Sequence, residues 1–404
     1  MTEVNAINSP SASGTSKTIG GGLIIAGTSI GAGMLSIPIV SMELGFITAT
    51  IIMFAFWALM TYTSLLMLEV HQYADSKATL HTLAKQFLGE KGKYIAAFSM
   101  FFLFYSLCAA YTAGGGAQLS DRINGLVGMT LPPAVGSIGF CILIATIVAA
   151  GTHLVDKINR ILFGLMMVAM VTVLMFLVPN ISSTYLAEGS FGYGLVLVSL
   201  PVVFTSFGFH GSIPAIVSYL DGDTKNLKKA MYIGSCLPLT IYVLWLMCTL
   251  GVVSQGELTS SPTLNVLISA LASTLTSSSF SFIIGIFADL ALMTSFLGVS
   301  LGLFEFVRDT TQNKLKGNKV LVAMITYFPP LCFALFYPQG FIMALGYAAV
   351  ALVVLAVFLP VAMTIKSREI NKETGKYRVA GGKPLMVMSV VFGVVIILAQ
   401  IFAS

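Results

Sequence analysis

Long apolar stretches separated by short polar connections repeat along almost the whole chain. A helix needs about twenty predominantly apolar residues to cross the hydrocarbon core of a bilayer. Eleven stretches of the sequence meet this requirement. They cover residues 19–40, 45–68, 94–118, 133–151, 160–179, 194–219, 230–253, 280–304, 320–337, 340–364 and 384–402. The pattern therefore predicts an all-α membrane protein with eleven transmembrane helices.

Composition narrows the class of protein further. Of the 404 residues, 57% are hydrophobic and 9% are charged, and the mean hydropathy is +0.93. A water-facing surface needs more charge, so most of the exterior is expected to face membrane lipid. This argues against a soluble enzyme and against nucleic acid as a partner. The sequence also has no Walker A motif, HExxH motif or metal-ligand cluster, so we expect no cofactor, no metal and no ATP-driven pump.

The positions of the basic residues predict an orientation. Cytoplasmic loops of membrane proteins hold an excess of Lys and Arg. With the N-terminus inside, 20 of the 21 basic residues fall on the inner side, and Arg122 lies outside. We therefore expect a cytoplasmic N-terminal tail, residues 1–18, that is retained, and a C-terminus outside the cell. Residues 79–88 fit either an amphipathic helix at the inner surface or a simple connecting loop.

Two of the predicted spans contain matching interruptions. Residues 27–38 and 205–214 share Thr-Ser-x-Gly, a further Gly, and then Ser-Ile-Pro. Glycine and proline weaken a helix, so each span can open there and expose backbone groups that bind a carboxylate or a cation. Either cluster alone also fits close helix packing. The pair, at equivalent places in two five-span halves, favours an inverted repeat with a transporter site at the membrane midplane.

Four side chains within the spans are further candidates. Asp289 is the only acidic residue near the middle of a span. A charged side chain there has a high free-energy cost, which suggests that Asp289 serves in proton coupling or forms a structural hydrogen bond. His210 lies inside the second interruption, where it could bind substrate, relay a proton or serve as a buried structural histidine. Tyr105 and Tyr111 could contact an aromatic ligand or simply pack against neighbouring helices.

Several blocks of the sequence resemble a known family. They are residues 26–38, 204–222, 287–306, 329–348 and 377–384. The chain resembles the hydroxy and aromatic amino acid permease family of the amino acid, polyamine and organocation superfamily, above all its bacterial tyrosine-specific members. The resemblance implies a leucine-transporter-type 5+5 inverted repeat with broken helices 1 and 6, plus an eleventh helix. It also implies proton symport of an aromatic amino acid into a bacterial cell across the inner membrane.

The resemblance assigns residues to this function. It implies substrate contacts at Thr28, Ser29, Gly31, Gly33, Phe204, Thr205, Phe207 and His210. Ala291, Thr294 and Ser295 resemble the sodium-binding stretch of the sodium-coupled members of the fold, which keeps sodium open as the coupling ion. On a helix of 3.6 residues per turn these three lie roughly opposite Asp289. Span 8 is therefore expected to have two polar faces.

The expected organisation follows from these assignments. The first five-helix repeat covers residues 19–179, the second covers 180–364, a basic cytoplasmic loop covers 365–383, and the eleventh helix covers 384–404. The expected function is proton-coupled uptake of an aromatic amino acid, tyrosine first, by alternating access. Alternatives are a tryptophan or broad neutral amino acid permease, a sodium-coupled permease, and, from another class, a channel or a non-transporting sensor.

Overall fold

The protein is almost entirely helical. The computed structural model describes residues 14–128, 132–189, 193–254, 263–275, 278–315, 318–371 and 376–403. In this part of the chain there is no strand, and ten helices are long and apolar enough to cross a membrane. The bent helix pair near the N-terminus raises the number to eleven. The predicted all-α membrane architecture is therefore confirmed.

The spans follow one another through short connections. Span 1 is formed by Gly14–Ser29 and Ala32–Ser41, and span 6 by Tyr193–Ser206 and Ile213–Tyr219. Span 10 is formed by Phe341–Val353 and Leu359–Ile370, which a π-helical turn joins. Spans 2 to 5, 7 to 9 and 11 are Gly45–His71, Leu80–Val127, Pro133–Ala150, Thr152–Leu177, Thr224–Val252, Ser278–Leu315, Lys319–Phe336 and Gly382–Ala403. Two shorter helices, Ser183–Ala187 and Leu264–Thr274, precede spans 6 and 8.

Both predicted interruptions are present. Span 1 bends by 54° between its two helices. In span 6 the helix ends at Ser206, and the 3-10 turn His210–Ser212 leads into the next helix. Pro214 lies in the first turn of that helix. Backbone N–H groups in the first turn have no acceptor within the helix, so the N–H that proline lacks is not needed there. The breaks thus occur where glycine and proline make a continuous helix unfavourable.

The segment before span 3 is an amphipathic helix rather than a simple loop. Thr79 caps its first turn, since its side-chain oxygen accepts a hydrogen bond from the backbone N–H of Thr82. Leu83 and Phe87 are buried against the bundle. Gly89, at φ 73°, then interrupts the helix. A left-handed backbone favours glycine at this position, so the amphipathic segment is separated from the spanning part of span 3.

One end of the bundle gathers basic residues, and we call it the basic end. Lys17, in the first helix of span 1, forms an ion pair with Asp221 at 3.6 Å, directly after span 6. At the end of span 2, Gln72 exchanges two hydrogen bonds of 2.9 Å with the backbone of Tyr377. The ammonium group of Lys228, in span 7, lies 4.4 Å from the centre of the Tyr377 ring. These contacts bring the ends of four spans and the 376–381 connection together.

The outer surface of the spans is apolar. Phe98, Met175, Phe336 and Phe402 are each at least 70% exposed, although water-facing proteins rarely leave many such side chains uncovered. Such a surface matches the lipid contact predicted from composition.

Candidate functional site

Tyr242 of span 7 connects the two helix breaks. Its hydroxyl oxygen lies 2.5 Å from the carbonyl oxygen of Ser29 and 2.7 Å from that of Ser206. Ser29 and Ser206 end the first halves of spans 1 and 6, so their carbonyls lack helical partners. A hydroxyl has a single hydrogen, which the two carbonyls therefore share. Sequence reasoning missed Tyr242, because nothing in its apolar surroundings distinguishes it from a packing residue.

The two breaks also contact each other directly. The Ser206 hydroxyl donates a hydrogen bond of 2.9 Å to the Gly33 carbonyl. A Cβ atom at Gly33 would lie 3.2 Å from the Ser206 Cα atom, so the two backbones pass close to each other. Gly33, Ser29 and Ser206 therefore belong to one cluster, which we call the break cluster.

Span 8 supplies a hydroxyl to the first break. The Ser295 side chain accepts a hydrogen bond of 2.8 Å from the backbone N–H of Ala32, the first residue after the break. A Cβ atom at Gly31 would collide with this Ser295 oxygen. The Tyr111 hydroxyl of span 3 lies close to the Ser295 side chain as well. The structure thus brings Gly31, Tyr111 and Ser295 into the break cluster.

Ala291 and Thr294 lie beside Ser295 on the same face of span 8. The Thr294 hydroxyl donates to the backbone carbonyls of Leu290 and Ala291, at 2.8 and 3.2 Å. The Ala291 carbonyl oxygen lies 4.0 Å from the position of a Cβ atom at Gly31. This stretch therefore presents carbonyl and hydroxyl oxygens to the first break.

Aromatic side chains surround the second break. The Phe207 ring packs edge-on against Tyr242, with 5.1 Å between ring centres. Phe204 packs in the same way against Phe56 at 5.5 Å. The Thr205 hydroxyl donates to the backbone carbonyl of Leu345 in span 10, at 3.0 Å. Phe204, Thr205 and Phe207 are all buried.

His210 is buried beside span 2. Its Nε2 atom lies 2.9 Å from the Thr63 hydroxyl oxygen, which is itself 3.1 Å from the Leu59 carbonyl. When Thr63 donates to that carbonyl, Nε2 must carry the proton of the neutral ring, and Nδ1 keeps a lone pair. Nδ1 has no hydrogen-bond partner within the described residues. His210 therefore offers one unused acceptor in the turn that follows the second break.

Asp289 lies away from the break cluster. Its carboxylate accepts a hydrogen bond of 3.1 Å from the Arg122 guanidinium of span 3, and about a third of each side chain is exposed. Six residues separate Asp289 from Ser295, which corresponds to about 9 Å along a helix. Span 8 thus contacts Arg122 through one polar face and the first break through another, in agreement with the helical spacing of the sequence.

Two candidates from the sequence do not reach the break cluster. Thr28 is exposed, and its hydroxyl donates to the Ile24 carbonyl one turn earlier at 2.8 Å. Tyr105 donates to the Ile325 carbonyl of span 9 at 2.6 Å and packs against Phe101. The structure places both side chains against other parts of the bundle.

The chemistry of the break cluster is that of a binding site. Its polar groups are backbone carbonyls, N–H groups and hydroxyls, and its walls are aromatic. In the described residues no group of three or more His, Cys, Asp or Glu side chains could hold a metal ion. Opened helix ends inside a bundle can bind both charged groups of a small zwitterion.

Comparisons with known proteins match nearly the full length of the chain. Residues 14–400 match the tryptophan/tyrosine permease family. Two similar proteins of Haemophilus influenzae, tyrosine-specific transport systems 1 and 2, are each 39% identical to the chain. These matches cover 94% and 95% of the chain and 95% of each relative. A tryptophan-specific transport protein of Pseudomonas aeruginosa is 30% identical over 96% of the chain and 94% of that protein.

Proposed function

The chain belongs to the tryptophan/tyrosine permease family, as its sequence motifs predicted, and from that premise we propose that it carries tyrosine into the cell as a secondary active symporter. It is an aromatic amino acid permease in a multi-pass membrane fold, not an enzyme. Tyrosine is proposed first because the two relatives at 39% identity are named tyrosine-specific. Tryptophan is the second candidate, since the relative at 30% identity is named tryptophan-specific.

The meeting of the two breaks under Tyr242 is the observation that carries this proposal. The break in span 1 is followed by a helix N-terminus at Ala32, which suits a carboxylate, while Ser29 and Ser206 end helices whose carbonyls suit an ammonium group. In the occupied protein, the substrate would take over backbone groups that Tyr242 and Ser295 satisfy here. Gly31 and Gly33 allow a ligand to approach the backbone closely.

The aromatic ring of the substrate would lie among aromatic side chains. Tyr111, Phe204 and Phe207 are buried rings at the break cluster beside Tyr242, and ring pairs contribute about 0.5 to 1.5 kcal/mol beyond their burial. Thr205 and His210 are the proposed polar contacts on the span 6 side. His210 has its unpaired Nδ1 atom available to a hydroxyl or an ammonium group.

Proton coupling is proposed to act through Asp289. A protonated Asp289 would lose its ion pair with Arg122, so proton binding would release span 8 from span 3. His210 is the second candidate, because a neutral imidazole can accept a proton at Nδ1. Sodium is the alternative ion, and the oxygens of Ala291, Thr294 and Ser295 beside the first break favour it.

The proposed orientation and repeat are supported by two observations. The basic end collects lysines from several connections, whereas Arg122 lies towards the opposite end, and bacterial inner-membrane proteins keep such basic residues in the cytoplasm. Span 3 packs against span 10, and span 5 packs against span 8. In a five-plus-five repeat, span 3 corresponds to span 8 and span 5 to span 10, so these two contacts are equivalent, as a leucine-transporter-type repeat requires.

Uptake of labelled tyrosine into proteoliposomes tests the proposal. Accumulation should follow an imposed proton gradient, collapse with a protonophore and persist without sodium. Loaded vesicles should also show counterflow, which neither a channel nor a sensor would produce. An excess of unlabelled tryptophan or of small neutral amino acids identifies the alternative substrates.

Asp289→Asn in the same vesicles tests the coupling residue. Accumulation should fall to the level of the protonophore control while exchange of tyrosine persists, and His210→Gln should retain proton-dependent accumulation. If only His210→Gln lost the proton dependence of accumulation, His210 and not Asp289 would be the coupling residue. A sodium requirement with no response to protonophore would overturn proton coupling.

A further inference from the structure

A cavity of about 410 Å³ opens at the basic end, away from the break cluster. It lies between the first turns of span 7 and the 376–381 connection. Its lining residues are Thr224, Lys225, Lys228, Lys229, Tyr232 and Tyr377. Three ammonium groups within two helical turns give the cavity a strong positive charge.

No carboxylate in the described ranges forms an ion pair with these lysines. Of the nearby acidic groups, Asp221 pairs with Lys17, and Asp223 caps span 7 through the backbone N–H groups of Lys225 and Asn226. Among the described residues, the cavity therefore has no lining carboxylate of its own.

Tyr377 adds a hydrogen-bond donor. Burial raises the pKa of Tyr377 to about 12, so its hydroxyl keeps its proton at neutral pH. The ring also holds the Lys228 ammonium group over its face at 4.4 Å. A phosphate group in the cavity would thus meet lysine ammonium groups and a neutral hydroxyl.

An exposed stripe of span 7 continues from the lysines towards the middle of the membrane. Tyr232, Ile233 and Leu244 are 46%, 43% and 39% exposed, and Cys236 and Thr240 lie exposed between them. Their spacing of three to four residues places them on the face that bears Lys225 and Lys229. An exposed face of a spanning helix contacts lipid, so the stripe provides a surface for an acyl chain.

We propose that this cavity binds the phosphate headgroup of an anionic glycerophospholipid, with one acyl chain along the exposed stripe of span 7. The stripe favours a lipid over free phosphate, because a soluble anion gains nothing from an apolar surface. The bound headgroup would join span 7 to the 376–381 connection, which Gln72 already holds to span 2. Anionic lipid would then stabilise the contact between span 7 and the 376–381 connection.

Native mass spectrometry of the full chain in detergent tests this site. We would titrate dioleoylphosphatidylglycerol against dioleoylphosphatidylcholine and measure the apparent Kd of the first bound lipid. Wild-type protein should bind the anionic lipid more tightly. Lys225→Gln/Lys229→Gln should weaken that binding about 25-fold, which corresponds to about fivefold for each lysine near the membrane surface. Both side chains are exposed, so the variant is expected to fold.

Lys157→Gln/Lys319→Gln is the matched control. It removes the same charge from two exposed lysines at the starts of spans 5 and 9, which do not line the cavity. It should bind the anionic lipid within twofold of wild type. Equal losses of lipid affinity in both variants would mean that the lipid binds through non-specific electrostatic attraction and not in the cavity. Unchanged affinity in Lys225→Gln/Lys229→Gln would overturn the site. Displacement of the lipid by excess glycerol phosphate would assign the cavity to soluble phosphate instead.

Discussion

At the scale of single residues, hydroxyl groups from unbroken spans satisfy the backbone that the two breaks release. Tyr242 donates to carbonyls at the ends of two helices, and Ser295 accepts from the N–H that begins the next helix. An unsatisfied buried polar group costs about 1 to 3 kcal/mol, so these contacts make the open backbone tolerable without a ligand. The same groups must be exchanged for substrate groups during transport.

Removal of the Tyr242 hydroxyl should therefore impair transport. In Tyr242→Phe the carbonyls of Ser29 and Ser206 lose their shared donor, and we expect tyrosine uptake to fall about tenfold, in line with about 1.4 kcal/mol. Initial uptake rates at several tyrosine concentrations measure the effect. Tyr105→Phe removes a comparable donor at the contact with span 9 and should leave the KM unchanged. Equal losses in both variants would contradict a special role for Tyr242.

The sequence predicted several residues of the site, because their effect on the helix depends only on the neighbouring residues. Glycine weakens a helix wherever it lies, so both breaks could be foreseen, although Pro38 lies inside the helix Ala32–Ser41 and does not interrupt it. Tyr242 could not, since its role depends on a contact across 213 residues of sequence with Ser29. Arg122 was similarly foreseen as an isolated basic residue, but its pairing with Asp289 arises only from the packing of span 3 against span 8.

At the scale of elements, the first break depends on how closely span 1 approaches span 8. The contact has no room for a side chain at Gly31, because a Cβ atom there would meet the Ser295 oxygen. Gly31 itself is at φ 173°, an extended backbone that any residue adopts. Glycine is thus needed for the approach of the two elements and not for an unusual backbone angle.

Gly31→Ala tests this contact. The added methyl group should displace Ser295 and weaken its hydrogen bond with Ala32, lowering the stability by about 1 to 3 kcal/mol, as overpacking does. Thermal unfolding in detergent and tyrosine uptake should both decline. Gly298→Ala, on span 8 and with no atom within 4 Å of the new methyl group, should leave stability equal or slightly higher. Equal stability of the two variants would show that the contact can relax.

At the scale of the whole molecule, the basic end is held by contacts between parts of the chain that are distant in sequence. Glu69 of span 2 binds Arg368 of span 10 through two hydrogen bonds of 2.6 and 2.8 Å. Glu69 also accepts from the backbone N–H of Val379 at 2.7 Å. The distribution of basic residues predicted which ends lie together. The sequence could not predict the ion pair between Glu69 and Arg368, because 299 residues separate them and only the folded bundle brings them together.

Loss of this ion pair should destabilise the protein far more than loss of an exposed one. Arg368→Ala leaves Glu69, which is 2% exposed, as an unpaired buried charge, and such variants lose about 3 to 5 kcal/mol. Lys366→Ala breaks an exposed pair with Glu369 at the same helix end, which is worth about 0 to 1 kcal/mol. Denaturant unfolding in mixed micelles measures both free energies.

The double variant Glu69→Ala/Arg368→Ala separates the ion pair from packing at the same position. Removing both charges leaves neither one buried without a partner, so the double variant should lose less stability than the sum of the two single variants. Purely additive losses, or an Arg368→Ala protein as stable as Lys366→Ala, would mean that the basic end is held by its other contacts and not by this ion pair. A double variant that loses less than this sum would instead identify the ion pair as a contact that holds span 2 to span 10.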